Sequence, residues 1–255
     1  FVLASEEAAT AYQLAELESY ELGMAVALQK EAFALLHIPK RLKANRKTAK
    51  EKLEPSLISF DSPDQNLERK KNLKENILRS LRRVDVFLDI NPKNRPFYDG
   101  LDLPQAQRVK LKFGPMIFPQ KAFDFNAGIS SKYVFFGGVK ERRKTVLETV
   151  SDIVAIVPEG TYGSDLYKFI TQSKGVANIH FEQGVYTEAP RLLTAYLNGK
   201  VVLSEDLAAP FEKEIHYIPL DDAAVDRDHK AIFDRFSQLV CNDLSFAKFL
   251  KDIGA

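Results

Sequence analysis

Residues 180–191 combine residue types that suit a nucleotide-binding turn. An apolar run ends at His180, a glycine-containing loop follows, and Thr187 is predicted to be the N-cap of the next helix, with Pro190 near its start. Amides at such an N-terminus favour phosphate, and the Glu188 carboxylate can accept hydrogen bonds from ribose hydroxyls. In a second interpretation, which stays open, Glu188 is a first-turn acid that only complements the helix dipole. The candidate binding residues of this segment are Gly184, Tyr186, Thr187, Glu188 and Arg191.

A second candidate loop contains Gly137 and Gly138, directly after the apolar run Tyr-Val-Phe-Phe. Glycines there let the backbone approach a ligand, and the helix that follows offers amides to an anion. The nearby side chains of Arg142 and Arg143 suit a diphosphate. The spacing matches neither a Walker loop nor GxGxxG. A simple turn is the alternative interpretation of the glycine pair.

His180 ends its apolar run at the edge where ligands are expected. It can polarise a phosphate or sugar group, or act in proton transfer, and a structural role is the alternative. We predict His180 and Glu188 as the catalytic candidates. His37, His216 and His229 are remote in sequence, so we expect no metal site. No GxSxG elbow supports a serine hydrolase.

Alternating strands and helices from residue 132 onward position these loops. Strands are predicted at 133–136, 153–157, 176–180, 201–204 and 216–219, and helices at 140–150, 164–172, 188–197 and 229–240. This alternation predicts an α/β fold with a Rossmann-type parallel sheet. Ligands bind beyond the carboxyl ends of such strands, which indicates the loops 137–140, 158–163, 181–187 and 205–207.

The N-terminal region has a different character. Apolar positions between residues 8 and 36 recur at steps of three and four, which predicts an amphipathic helix, and further helices are predicted up to residue 83. Extended runs follow at 84–90 and 109–113. We therefore divide the chain into a helical, basic region (1–83), a linker or reduced N-terminal lobe (84–128), a Rossmann-like lobe (129–225) and C-terminal helices (226–255).

Composition indicates a globular protein of 255 residues, with 45% hydrophobic and 28% charged residues. The single Cys241 excludes a disulfide framework, and we expect a cytoplasmic protein. Residues 40–83 hold 14 Lys or Arg against 6 Asp or Glu, a local balance of +8 in a chain of net charge +1. Such a segment suits an anionic partner such as the inner face of a membrane, and a solvated helix pair is the alternative. It lacks interleaved aromatic residues, so nucleic acid is not an expected partner.

Several short motifs occur in a fixed order in the C-terminal half of the chain. They are Gly137-Gly-x4-Arg143, Asp165-Leu-x3-Ile170-x2-Ser173-Lys174, Val176-Ala-Asn-Ile-His180, Glu188-x2-Arg191-Leu-x2-Ala195 and Gly199-Lys-Val-Val-Leu-Ser204-Glu205. Over about 90 residues, this order resembles the C-terminal lobe of GT-B glycosyltransferases. The resemblance is closest to bacterial surface-polysaccharide and spore-maturation glycosyltransferases.

The resemblance implies a metal-independent lobe that binds a nucleotide-diphosphate sugar. It implies Glu188 near the ribose or sugar, and Arg142 or Arg143 near the phosphate of the leaving group. The implied activity is sugar transfer to a glycan or lipid-linked acceptor, with no cofactor. Thr194 stands where many relatives have a second glutamate. A non-catalytic scaffold and a nucleotide-sugar epimerase are the alternative functions.

Overall fold

The structure is a computed structural model, and it describes residues 24–27, 32–33, 81, 86–90, 92–139, 142–161, 163–181, 183–223 and 225–252. The strands are β1 (Met24–Ala27), β2 (Ala32–Phe33), β3 (Val86–Asp89), β4 (Leu111–Phe113), β5 (Tyr133–Phe135), β6 (Val154–Ile156), β7 (Gly175–Asn178), β8 (Val202–Ser204) and β9 (Ile218–Pro219). The α-helices are α1 (Arg95–Asp99), α2 (Gln105–Arg108), α3 (Arg142–Thr149), α4 (Gly163–Gln172), α5 (Ala189–Leu197), α6 (His229–Asn242) and α7 (Phe246–Asp252). Short 3-10 helices lie at Pro92–Asn94 and Leu220–Asp222.

The chain forms two compact units. Unit 1 comprises residues 1–120 and 243–255, and unit 2 comprises residues 121–242. Unit 1 contains a four-stranded sheet of order β2-β1-β3-β4. Strands β1, β3 and β4 are parallel, and β2 pairs antiparallel with β1. Unit 1 is therefore organised around a largely parallel sheet.

Strands β1 and β2 correct one sequence prediction. Both lie inside the segment 8–36, for which an amphipathic helix was expected, and at these six residues the expectation is wrong. Met24 pairs with Val86 and Ala27 with Asp89, so β1 is held by a strand about sixty residues later in the chain. Pairing over that separation is invisible to local periodicity and overrides helix propensity. The other helices predicted up to residue 83, and nearly all of the basic segment 40–83, lie outside the described residues.

Unit 2 contains a five-stranded sheet of order β6-β5-β7-β8-β9. All four strand pairings are parallel. Helices α3, α4 and α5 connect successive strands, which confirms the predicted α/β fold with a Rossmann-like parallel sheet. The strands are short, and β5, β7, β8 and β9 are buried throughout, as expected for a parallel sheet, whereas Ile156 of the edge strand β6 is 50% exposed.

Apolar side chains from neighbouring strands form the core of unit 2. Its buried members include Tyr133, Phe135, Ala177, Ile179 and Leu203. The amino ends of the strands are held by Lys200, which is fully buried and donates hydrogen bonds to three backbone carbonyls. Lys200 thus fixes the end of the sheet opposite to the carboxyl ends from which the candidate loops emerge. Among the described residues, no helix is long and apolar enough to cross a bilayer.

Candidate functional site

The strand order of unit 2 identifies one position along the edge of its sheet where a ligand is expected to bind. From β5 the chain moves outward to β6, then crosses back over β5 to β7 and continues outward to β8 and β9. The direction of winding therefore reverses between β5 and β7. In open parallel sheets, ligands bind at such a switch point, outside the carboxyl ends of the strands. Gly137 and Gly138 follow β5 there, and residues 179–188 follow β7.

The turn into α5 differs from the prediction in its capping. Glu188, not Thr187, is the N-cap residue, and it adopts a left-handed conformation with φ 46° and ψ 38°. The prediction of Thr187 as N-cap and Glu188 as a first-turn acid is therefore wrong. Thr187 is fully buried, and its Oγ1 has no hydrogen-bond partner. Left-handed backbone at a residue other than glycine is costly and is found preferentially at functional sites.

Three basic side chains face the Glu188 carboxylate, which is only 7% exposed. Arg143 Nη2 lies 3.4 Å from Oε1, Arg191 Nη1 lies 3.6 Å from Oε2, and His180 Nδ1 lies 3.8 Å from Oε1. The structure thus brings together four of the predicted site residues. Two guanidinium groups favour the charged form of a carboxylate that burial would otherwise disfavour. We call Arg143, His180, Glu188 and Arg191 the Glu188 cluster.

Arg143 connects the two loops of the switch point. It is 2% exposed, its Nε donates to the Ile179 carbonyl at 2.9 Å, and its Nη1 donates to the Gly138 carbonyl at 3.3 Å. The guanidinium also lies over the rings of Phe135 and Phe181, at 5.5 and 5.4 Å from their centroids. Arg143 is therefore part of the framework of the site, and not the solvent-facing cation that a simple diphosphate contact would need.

Arg142 points to the other side of the same helix turn. Both of its terminal nitrogens donate to the Glu205 carboxylate, and Nη1 also donates to the His180 carbonyl at 2.9 Å. The hydrogen bond that Arg142 donates to Glu205 raises the pKa of Arg142. Glu205 in turn accepts the His180 backbone N–H at 2.7 Å. Since the Arg142 side chain is 29% exposed, it is the more accessible of the two adjacent arginines.

The orientation of His180 is set by its neighbours. The ring is fully buried, and its Nε2 lies 2.9 Å from the Asp206 carbonyl. A carbonyl only accepts, so Nε2 carries hydrogen and Nδ1 of the neutral ring is an acceptor. Nδ1 has no hydrogen-bond partner. The Tyr186 ring meets the imidazole edge-on at 5.2 Å, and a Cβ at Gly184 would lie 2.8 Å from that tyrosine ring, so only glycine leaves it room.

Arg191 is hydrogen-bonded to Asn178, a residue that was not among the predicted site residues. Its Nη1 donates to Oδ1 of Asn178 at 2.6 Å, and its Nη2 donates to the Phe136 carbonyl at 3.3 Å. Burial lowers the pKa of Arg191, and Glu188 opposes this shift. An asparagine inside the apolar strand Gly-Val-Ala-Asn was the available signal, because a buried polar group needs a partner.

An open groove of about 650 Å³ borders the site on the β8 and β9 side. The paired Arg142 and Glu205 form part of its wall, together with Gln183, Val185 and Asp206. The predicted loop after β6 borders a different hollow, of about 570 Å³. Among the described residues, no three His, Cys, Asp or Glu side chains are grouped so that they could hold a metal ion.

Asp89 lies at the carboxyl end of β3 in unit 1. Its carboxylate is fully buried and accepts a hydrogen bond from the Tyr98 hydroxyl at 2.9 Å. Burial and the neighbouring carboxylate both raise the pKa of Tyr98. Asp89 is therefore a buried carboxylate that is hydrogen-bonded to Tyr98.

No protein-family model matches the chain, and a search of curated proteins finds no match either.

Proposed function

We propose that unit 2 binds a nucleotide-diphosphate sugar at the switch point, and that the protein is a metal-independent glycosyltransferase of the GT-B type. The observation that carries the proposal is the Glu188 cluster: a left-handed N-cap carboxylate faced by Arg143, Arg191 and His180. It stands where open parallel sheets bind ligands, at the start of a nine-residue helix. The order of sequence motifs adds the resemblance to GT-B enzymes.

The donor and acceptor atoms at this edge suit the two halves of such a ligand. Glu188 and the unpartnered Nδ1 of His180 are both acceptors, and together they suit the hydroxyl groups of a ribose or sugar. Pro190 has no N–H, and the amides of Arg191 and Leu192 donate to the Glu188 carbonyl, so the start of α5 leaves at most the Ala189 amide for a phosphate oxygen. Arg142 can neutralise charge on the departing diphosphate if its guanidinium exchanges Glu205 for a phosphate oxygen.

In the proposed reaction, an acceptor hydroxyl oxygen forms a bond with the anomeric carbon of the donor sugar. The bond between that carbon and the diphosphate oxygen breaks, and the electron pair leaves with the nucleoside diphosphate. The hydroxyl proton passes to Nδ1 of His180, and the neighbouring Glu188 carboxylate stabilises the imidazolium. The protein supplies position and charge stabilisation.

Unit 1 supports a two-lobed enzyme, because it has a parallel sheet of its own. Acceptor recognition is assigned to this unit. The proposed acceptor is a bacterial glycan or lipid-linked sugar, and we propose that the basic segment 40–83 binds an anionic membrane surface. Reversing the charges of Lys43, Arg46, Lys47 and Lys50 should weaken sedimentation with anionic liposomes. Unchanged sedimentation would remove the membrane from the proposal.

A non-catalytic scaffold is the second candidate, and one observation favours it. Arg143, Arg191 and Glu188 are at least 92% buried, and both arginines form ion pairs with Glu188, as a purely structural cluster would. Thr194 agrees with this, because its hydroxyl donates to the Pro190 carbonyl and it supplies no second carboxylate. A scaffold predicts that no nucleotide binds.

Calorimetry against UDP, GDP, CMP and their sugar conjugates separates the two candidates. We expect saturable binding of one nucleotide series, weakened by about tenfold or more in Glu188→Gln. Glu148→Gln, an exposed change on α3, is the matched control and should bind as the wild type does. Binding that is unaffected by Glu188→Gln, or no binding of any nucleotide, would contradict the proposal.

A further inference from the structure

Asn178 connects three elements beneath the Glu188 cluster. It is the last residue of β7 and is fully buried. Its Oδ1 accepts a hydrogen bond from Arg191 Nη1 at 2.6 Å, and its Nδ2 donates to Ser204 Oγ at 2.9 Å. Ser204 belongs to β8 and donates its own hydroxyl hydrogen to the Glu205 carbonyl at 2.6 Å. One amide thus links β8 to α5 across the interior of the sheet edge.

The chemistry of its neighbours allows only one orientation of this amide. A guanidinium has donors and no acceptor, so the atom that faces Arg191 must be oxygen. The NH2 group then faces Ser204, whose hydroxyl hydrogen is used on the Glu205 carbonyl, so that its lone pair can accept. Both ends of the Asn178 side chain are therefore satisfied, and the direction of each hydrogen bond is fixed.

The guanidinium that Asn178 holds is one of the two that face Glu188. Arg191 Nη1 lies 3.6 Å from Glu188 Oε2, and Nη2 reaches the Phe136 carbonyl at the end of β5. Arg191 Nε has no hydrogen-bond partner, so all of the hydrogen bonds of the group are made by its two terminal nitrogens. Without the Asn178 oxygen, the 3.3 Å hydrogen bond to the Phe136 carbonyl, the ion pair with Glu188 and the rings of Phe135 and Phe136, at 4.9 and 5.5 Å, would remain to orient it.

We propose that Asn178 is a positioning residue of the candidate site: its side-chain oxygen fixes the Arg191 guanidinium, and through it the Glu188 carboxylate that contacts the ligand. The functional part of this inference rests on the proposed nucleotide-sugar site. The positioning part concerns the protein alone. Asn178 itself makes no contact with the ligand.

Two substitutions separate positioning from packing. Asn178→Leu keeps the branching and the number of side-chain heavy atoms and adds apolar volume at a buried strand position, but it removes the acceptor for Arg191. Asn178→Asp keeps an oxygen for Arg191, and the Ser204 hydroxyl can turn to donate to the second oxygen. If Asn178 fixes the orientation of the Arg191 guanidinium, the Asn178→Asp variant keeps that orientation and the Asn178→Leu variant loses it. If it only packs, Leu preserves the site and Asp, as a buried charge, disturbs it.

The ligand-free measurement is side-chain NMR of the arginine guanidinium groups in the full chain. Restricted rotation of a held guanidinium gives separate Nη–H resonances, which we expect for Arg191 in the wild type and in Asn178→Asp. In Asn178→Leu we expect them to merge. Asn198→Leu is the matched control, because it removes one side-chain hydrogen bond, to the Thr194 carbonyl, at the other end of α5. Separate resonances in Asn178→Leu, or merged ones in Asn178→Asp, would overturn the inference.

The functional measurement is the affinity for whichever of UDP, GDP and CMP the wild type binds. We expect a loss of about tenfold in Asn178→Leu, and less than threefold in Asn178→Asp and Asn198→Leu. Unchanged affinity in Asn178→Leu would overturn the functional part even if the resonances merge. If the wild type binds none of the three, the proposed function fails, and the NMR result still decides whether Asn178 orders Arg191.

Discussion

Replacing Gly128 by alanine tests how the loop 121–132 is fixed to the end of α4 within unit 2. Gly128 has φ +72°, and a Cβ there would lie 2.0 Å from the Ser173 carbonyl oxygen and 2.7 Å from that of Gln172. These are backbone atoms at the end of α4, so they cannot rotate away. The same stretch holds the loop, because the amides of Ile129 and Ser130 both donate to the Gln172 carbonyl.

Two costs add in Gly128→Ala. Left-handed backbone costs alanine about 1 kcal/mol more than glycine. Overpacking against fixed atoms adds about 1 to 3 kcal/mol, so the free energy of unfolding should fall by about 3 kcal/mol. Gly160→Ala is the matched control: its φ is +81°, but nothing lies within 4 Å of the added Cβ. Only the backbone cost of about 1 kcal/mol applies there.

Urea denaturation of the wild type and both variants measures these costs. The midpoint should fall in both variants, at an unchanged denaturant slope, and fall further in Gly128→Ala. Equal destabilisation of the two variants would refute the packing of the loop against α4. A Gly128→Ala protein as stable as the wild type would refute the left-handed backbone as well.

Two further predictions concern buried polar groups in unit 2. Burial lowers the pKa of Lys200 to about 8 in the folded protein, against 10.5 unperturbed, so the unfolded chain binds more protons between these values. Urea denaturation of the wild type should show stability rising with pH from about 8 to 10.5, and Lys200→Met should lack this rise; equal pH dependence would contradict the burial of the ammonium. The Tyr196 hydroxyl donates to the Lys121 carbonyl at 2.6 Å and lies 2.8 Å from Cys241 Sγ, so Tyr196→Phe should cost about 1 to 2 kcal/mol in the same assay. An unchanged free energy of unfolding in Tyr196→Phe would show that these two contacts make no net contribution to stability.

The sequence predicted unit 2 well because its signals are local. Each strand is a short apolar run bounded by turn residues, and each helix between them shows amphipathic spacing or a recognisable start. Nine elements from β5 to α6 occur where they were predicted, with ends that differ by a few residues. In unit 1, β1 is stabilised by pairing with β3, and nothing within Met-Ala-Val-Ala announces that distant partner.

The sequence predicted which residues lie near the carboxyl edge of the sheet, but it did not predict their contacts. Position after a strand and before a helix indicated Gly137, His180 and Glu188 correctly as neighbours of the sheet edge. Adjacent residues on a helix point about 100° apart, so Arg142 and Arg143 had to differ in burial, but the sequence does not reveal which faces inward. The left-handed backbone of Glu188 results from how the loop meets α5.

Asn178 was missed for a related reason. Two hydrogen bonds of Asn178 connect β8 with α5, one to Ser204 and one to Arg191. The bond to Ser204 depends on strand register, because Asn178 lies opposite Ser204 only in the observed pairing of β7 with β8. Register is a property of the assembled sheet. From the sequence alone, a polar residue near the end of an apolar strand indicates only that some partner exists.

The most direct test of the central claim is to map the binding position of a nucleotide by backbone amide NMR. UDP, GDP and CMP would be titrated in turn into the labelled full chain. At saturation, we predict chemical-shift changes centred on Gly137, His180, Glu188 and Arg191, with the amino ends of the strands unaffected. Changes centred on any other surface, or no change at millimolar nucleotide, would contradict a nucleotide-binding site at the switch point of unit 2.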